Sequence, residues 1–318
     1  MFKEVIGHDS IKDLMSQRLK GDISGTYMFY GPPSVGKRTM AFELIRTLFC
    51  TTREDDCSCD SCRLFLKGHP DLLCLGRYEK IKVADIDDLI EFSSLMPCRA
   101  DYRAVVLDNA HDITYEASNR LLKVLEEPPR KFLFVLVTDN PQMLLPTIRS
   151  RYQEYPFEIL SREDLTNILW KKLSFDLPQA RVLGWIAAES SADVFRKAGQ
   201  YLTYRNQAFT FISDLRLKRL VDAFDFVDKI GSENMSVFLD MVMLILTDML
   251  SLKYGVAEIA NSDIAEDLRK LNERMSQKAL IWATSNFSQV KRFERLNVNL
   301  SMNMKNVLIR VQPVFVSS

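Results

Sequence analysis

No excess of either charge is present: 42 lysines and arginines cancel 42 aspartates and glutamates over 318 residues. A protein that wraps nucleic acid by itself carries a basic surplus, so this balance argues against an autonomous DNA-binding protein and leaves any DNA contact local or shared with partners. An apolar run of membrane length is also missing. The most apolar segment, Ser236 to Tyr254, is interrupted by Asp240, Asp248 and Lys253, whereas a span needs about 20 mostly apolar residues, so a helix buried in a bundle or subunit contact is expected. The opening Met1-Phe-Lys-Glu-Val lacks the charged start and apolar stretch of a secretory leader, and a cytoplasmic protein is expected. Low-complexity linkers, repeats and charged tails are likewise missing.

Two further absences are chemical. Phe29-Tyr-Gly-Pro-Pro-Ser-Val-Gly-Lys-Arg-Thr39 fits the GxxxxGK pattern of a phosphate-binding loop, in which Gly31 and Gly36 let the backbone curl its N–H groups toward phosphate and Lys37 supplies charge. The Ser or Thr that should follow, to hold Mg²⁺, is replaced by Arg38. Thr39 carries a hydroxyl, but one residue along a helix rotates it by about 100° away from the metal. Farther on, Arg103-Ala-Val-Val-Leu-Asp108 is an apolar strand ending in a carboxylate, the arrangement that sets an acid beside Mg²⁺ at a phosphate loop. Asn109 follows it where an ATPase would carry a water-polarising glutamate. ATP or ADP binding is compatible with this loop; hydrolysis is compromised. His111 reads as a capping or surface histidine rather than a replacement base, and Thr138 either as a nucleotide sensor or as an ordinary strand-end residue.

Four of the six cysteines, Cys50, Cys57, Cys59 and Cys62, fall within thirteen residues. In a reducing compartment such crowding suits a structural Zn²⁺ held by four thiolates, with no position left for a substrate water. Cys59-Asp-Ser-Cys62 has the usual ligand spacing, Cys57-Ser-Cys59 is tighter, and free thiols that have lost their metal are the alternative. Cys74 and Cys98 read as small packing residues. His69-Pro-Asp71 reads as a turn opening the next strand, with the imidazole orienting it.

Alternating apolar strands (27–30, 72–75, 104–107, 132–137) and amphipathic helices (39–50, 83–95, 115–126) predict a parallel sheet covered by helices, the last helix being stopped by Pro128-Pro129. After Phe157 the pattern is helical. Ser161 is a plausible cap with Asp164 reaching back to it, and breaks are expected at Pro178, Gly199, Gly231-Ser232, Gly255 and Asn261-Ser262.

From Gly7 to about Phe157 the chain resembles the AAA+ module of bacterial DNA polymerase III clamp-loader subunits. The residues that carry this are Phe2-Lys-Glu-Val-Ile-Gly-His8, the loop, the four cysteines, His69-Pro-Asp71, Asp108-Asn-Ala-His111, Asn119-Arg-Leu-Leu-Lys-Val-Leu-Glu-Glu-Pro-Pro129 and Leu145-Pro-Thr-Ile-Arg-Ser-Arg151. The resemblance implies an AAA+ domain with a four-cysteine zinc module over 1–157, a helical lid over 158–203 and a helical collar over 204–318. It implies a hetero-pentameric ring with other clamp-loader subunits, a sliding clamp and primed DNA as partners. Departures at Arg38 and Asn109, and the lack of a sensor arginine around Ala188 to Val194, with Arg196 close by, resemble a non-motor subunit. Ser150-Arg151 matches the family's Ser-Arg-Cys motif, Tyr152 replacing the cysteine, and implies an arginine finger acting in trans on a neighbour's nucleotide. An ATP-hydrolysing motor subunit, or a zinc-dependent interaction protein on a degenerate AAA+ scaffold, are the rival readings.

Overall fold

Strand composition dictates the sheet. Phe132–Thr138 and Arg103–Leu107 are buried at every position, which requires cover on both faces and suits the interior of a parallel sheet. The computed structural model describes all residues except 78, 127–128, 216, 218, 257, 295–298 and 317–318, and describes 189–193, 292–294 and 316 by backbone only. It divides into two units, Met1–Ser161 and Arg162–Ser318.

In the first unit β1 (Gly25–Tyr30), β2 (Leu72–Leu75), β3 (Arg103–Leu107), β4 (Phe132–Thr138) and β5 (Gln153–Pro156) form a five-stranded sheet in the order β2-β3-β4-β1-β5. Every pairing is parallel. The helices are α1 (Asp9–Arg18), α2 (Lys37–Phe49), α3 (Asp60–Lys67), α4 (Val83–Ser94), α5 (Tyr115–Glu126) and α6 (Pro146–Arg149). The expected strands and helices are found within two residues of their expected ends. Strand β5 is not among the expected strands: it is an edge strand with only Tyr155 buried, so its residues form no apolar run, and Pro156 is tolerated at an edge. Of the expected Pro-Pro stop after α5, Pro128 lies outside the described residues.

The second unit is helical among its described residues: α7 (Arg162–Lys171), α8 (Leu177–Asp214), α9 (Leu220–Ile230), α10 (Met235–Lys253), α11 (Ala265–Glu273), α12 (Gln277–Glu294) and α13 (Leu300–Val316). Pro178 lies in the first turn of α8, where a missing N–H costs nothing, and the Asp176 carboxylate caps it by accepting from the Gln179 N–H at 2.8 Å. The expected break at Gly199 is absent. Glycine lowers helix propensity by about 1 kcal/mol, but Val194, Ala198, Tyr201, Ala208, Phe211 and Ile212 are buried on either side of it, and this packing carries α8 through. The expected division after residue 203 therefore falls inside a continuous helix. The apolar segment 236–254 becomes α10, buried against α8 and α12. Its Asp248 is 2% exposed and accepts from the N–H groups of Ala260 and Asn261 at 3.0 and 2.8 Å. Asn261 in turn accepts from Arg205 Nε at 2.7 Å. This chain of bonds joins α8, α10 and the 260–263 turn.

Cys74 and Cys98 are exposed, contrary to the packing role expected of them, because β2 is an edge strand and Cys98 lies in the α4–β3 loop. The turn 69–71 is as expected: the buried His69 Nδ1 accepts from the Asp71 N–H at 3.1 Å. Asp71 is fully buried and accepts from the N–H groups of Cys98, Arg99 and Ala100 at 2.7, 2.7 and 2.9 Å. Burial pushes this carboxyl up, but the three N–H donors and the nearby His69 outweigh it and hold it below the usual range. Asp71→Ala strands these partly buried donors and removes the carboxylate that faces the buried Arg103 at 3.6 Å, and is expected to cost about 2–3 kcal/mol by chemical denaturation. The depressed carboxyl makes its contribution complete above about pH 4 and lost as pH falls through the lower folded-state value. The wild-type and Asp71→Ala stabilities should therefore converge in acid and stay apart at neutral pH.

Candidate functional site

A parallel sheet sends its strand ends to one edge, and the phosphate loop sits there between β1 and α2. Ser34 and Gly36 both take positive φ, 61° and 99°, which folds the loop back on itself ahead of α2. Gly31, also at positive φ, passes so close to the chain leaving β5 that a Cβ would stand 2.1 Å from the Phe157 carbonyl oxygen. His8 fastens the loop from the N-terminal side: its Nε2 lies 2.8 Å from the Val35 carbonyl oxygen and its ring packs 4.7 Å from Phe157.

Lys37 is 4% exposed. Its ammonium donates to the Gly31 carbonyl at 2.8 Å and to that of Pro32, and pairs with Asp139 Oδ1 at 2.7 Å. Sequence reasoning does not single out Asp139. Its position is legible in principle, since it follows β4 as Asp108 follows β3, and the two strands are neighbours. Arg38 Nε lies 3.3 Å from Asp108 Oδ2, with the guanidinium 5.0 Å above the Phe42 ring. Burial pushes the Asp108 carboxyl up against the downward pull of Arg38. The carboxylate expected beside Mg²⁺ thus already faces a fixed cation. Thr39 is exposed while Lys37 is buried, as the helical rotation between them requires. Asn109 sits in the left-handed region at φ 48° and donates through Nδ2 to the Gly76 carbonyl at 3.2 Å. His111 Nδ1 lies 3.2 Å from Thr138 Oγ1, which also accepts from the Asn140 N–H at 3.1 Å; His111 is neither free at the surface nor a cap.

Arg151 follows α6. It donates through Nη1 to the Thr147 carbonyl at 2.7 Å and through Nη2 to Glu126 Oε1 at 2.8 Å, and its side chain is 32% exposed. Glu126, at the end of α5, is the second residue that sequence reasoning does not single out. Tyr152 beside it is buried among the helices and strands of the sheet's core. The stretch expected to lack a sensor arginine includes 189–193, whose side chains lie outside the described residues.

The four clustered cysteines converge. Cys50 caps the end of α2, Cys59 precedes α3 and Cys62 lies in its first turn; with Cys57 their Sγ atoms all lie within 4.8 Å of one another. The tight spacing between Cys57 and Cys59 does not prevent this. The Thr51 backbone N–H is the main influence pulling the Cys59 thiol down to about 6, while burial, followed by the neighbouring sulfurs, pushes Cys62 up to about 12. Four sulfurs this close cannot all ionise without a cation among them, and an all-thiolate tetrahedral set is the donor set of structural Zn²⁺. The residues fit that metal.

Known proteins supply the context. The family described as "DNA polymerase III, delta subunit" matches residues 7–161, and "DNA polymerase III, delta subunit, C terminal" matches residues 200–312. The delta' subunit of DNA polymerase III from Bacillus subtilis is 28% identical over 313 residues, 92% of this chain and 92% of its own length. The gamma/tau subunit of Mycobacterium bovis is 33% identical over 175 residues, 53% of this chain; the chain spans only 30% of that relative's length. A gamma subunit-related protein of DNA polymerase III from Thermotoga maritima overlays on 96% of this chain and 99% of its own, with a TM-score of 0.43 and 16% identity. The two family matches together span most of the chain and reach into both structural units, so the protein belongs to the DNA polymerase III delta-subunit family.

Proposed function

We propose that this chain is a non-hydrolysing, stator-like subunit of a cytoplasmic DNA polymerase III clamp loader, which helps to load a sliding clamp onto primed DNA and lends Arg151 to a neighbouring ATPase subunit. The observation that carries the reading is Arg38 on Asp108 at 3.3 Å. Hydrolysis by such a loop needs Mg²⁺ held by a hydroxyl and a carboxylate, and a base or polarising group for the water. Here a guanidinium takes the hydroxyl's place in the sequence and engages the carboxylate, and the Asn109 amide is spent on the Gly76 carbonyl. The exposed Thr39 offers no substitute. Arg151 is the catalytic element left over. Its pair with Glu126, a carboxylate 54% exposed, is worth about 0–1 kcal/mol, and release toward a neighbour's γ-phosphate also exchanges the Thr147 carbonyl for a phosphate oxygen. Residues 158–203 would act as a lid and 204–318 as the collar joining a hetero-pentameric ring; the match of the C-terminal family from residue 200 onward supports that division. Zinc, held by Cys50, Cys57, Cys59 and Cys62, would tie the end of α2 to the start of α3.

Purified protein is expected to turn over no ATP; steady-state phosphate release that disappears in Lys37→Ala would overturn the reading. Metal analysis of protein prepared without chelator should find one zinc per chain, and Cys62→Ser should lose it together with protection of 50–62 from proteolysis. In reconstituted complexes, Arg151→Ala should leave the ring intact by sizing but lower ATPase and clamp loading. A finger contributes about 10³ to 10⁵ at the one site it serves, so the total falls partially while other sites remain active. Full activity in an intact ring would reduce Arg151 to a surface residue.

A further inference from the structure

The phosphate loop and the metal position beside it disagree. The loop retains what phosphate requires: the glycines at 31 and 36, the start of a long helix, and Lys37 buried in its centre. The metal position retains its carboxylate but has lost its vacancy, because Arg38 is aligned on Asp108 from one side and stacked on Phe42 from the other. Arg77 also faces Asp108 with positive charge. A divalent cation entering here would have to displace a guanidinium from its carboxylate and then remain among Lys37, Arg38 and Arg77, in a partly buried position where like charges repel more strongly than in water. The residues do not fit Mg²⁺.

They do fit an anion. As the structure stands, the charges of Lys37 and Arg38 are matched by those of Asp139 and Asp108. The three acceptors on the Lys37 ammonium are two loop carbonyls and Asp139. Asp139 is the replaceable one, being 39% exposed, and a phosphate oxygen is an equivalent anionic acceptor. Arg38 uses Nε on Asp108, which leaves its terminal nitrogens as further donors in a planar fork suited to phosphate.

We infer that this loop is a magnesium-independent site for the phosphates of a nucleoside di- or triphosphate, with Arg38 supplying the charge that Mg²⁺ supplies in a hydrolysing relative and Asp139 acting as the displaceable lid on Lys37. Nucleotide held this way is a fixed structural ligand rather than a fuel. Without a metal to bridge its outer phosphates and a base to activate water, it is bound and not consumed. The inference goes beyond the non-hydrolysing role proposed above and shares with it the Arg38–Asp108 pair.

The test is calorimetric titration of the full-length protein with ADP and with ATP, once in EDTA and once in excess Mg²⁺, paired with the shift in thermal unfolding that each nucleotide produces. The wild type should bind in EDTA, with Mg²⁺ changing Kd by less than about threefold. Arg38→Thr, which rebuilds the hydroxyl next to Asp108, should bind about tenfold more weakly in EDTA and recover in Mg²⁺. Arg38→Lys, which keeps the charge, should stay insensitive to EDTA, separating charge from any effect on folding. Absence of binding in EDTA, a gain of about tenfold or more with Mg²⁺ in the wild type, or an Arg38→Thr variant that behaves as the wild type in EDTA would each overturn the inference. Absence of binding leaves the non-hydrolysing reading standing, a gain with Mg²⁺ counts against both, and ATP turnover by the purified protein overturns the non-hydrolysing reading alone.

Discussion

A fully parallel sheet delivers every strand's carboxyl end to the same edge, and the chemistry of this protein depends on what the sequence places there. Tyr30 leads into the phosphate loop, Leu107 into Asp108 and Asn109, and Thr138 into Asp139. With β4 between β1 and β3, the three exits are adjacent, and groups more than a hundred residues apart meet without any special loop. The two cation–carboxylate pairs that result, Lys37 with Asp139 and Arg38 with Asp108, lie one residue apart on α2. They make the edge electrically self-contained. Partly buried charge is tolerated only when paired, and Arg38 is the cation that pairs with Asp108 here.

Much of this is legible in the sequence itself. Buried parallel strands are runs of apolar residues, so Phe132 to Val137 and Ala104 to Leu107 announce themselves, and the glycine spacing around Lys37 marks the turn between strand and helix. The missing hydroxyl and glutamate are read directly from Arg38 and Asn109. What escapes such reading depends on partners distant in sequence. Asp139 follows a strand and nothing in its neighbours says that it faces a lysine 102 positions earlier; that meeting is set by the adjacency of β1 and β4, a property of the whole sheet. Glu126 and Arg151 meet because α5 and α6 pack together. Strand β5 escapes because an edge strand with one buried residue leaves no periodic signal.

The helical unit departs from expectation for a different reason. Gly199 reads as a local breaker, yet helices in proteins owe most of their stability to tertiary packing rather than to propensity. A helix of 38 residues has enough buried positions on both sides to absorb one glycine. The same unit relies on a polar element that no hydrophobic pattern reveals. Asp248 on α10, Asn261 in the turn beyond it and Arg205 on α8 form a buried chain of hydrogen bonds. Burial pushes the Asp248 carboxyl up, with the Asn261 and Ala260 N–H groups and Arg205 opposing. Such a network specifies one arrangement, because any slip of α10 along α8 leaves a buried polar group without a partner.

The contrast between the two arginines ties the fold to the function proposed for it. Arg38, itself 36% exposed and with an aromatic ring behind it, pairs with a carboxylate that is only 14% exposed, and in the proposed reading it serves the chain's own site. Arg151 is hydrogen-bonded, but its carboxylate partner is 54% exposed, and an ion pair in such a place is of the kind that solvent and salt screen easily. A residue that must leave its own subunit to meet a neighbour's phosphate needs a resting partner that orients the guanidinium without trapping it. A carboxylate at the surface, with the Thr147 carbonyl as a second acceptor, does this, whereas a buried partner would hold the arginine by several kcal/mol. On the proposed reading, the cation at the chain's own metal position is thus matched by a mostly buried carboxylate, and the one its neighbour would use by a carboxylate at the surface.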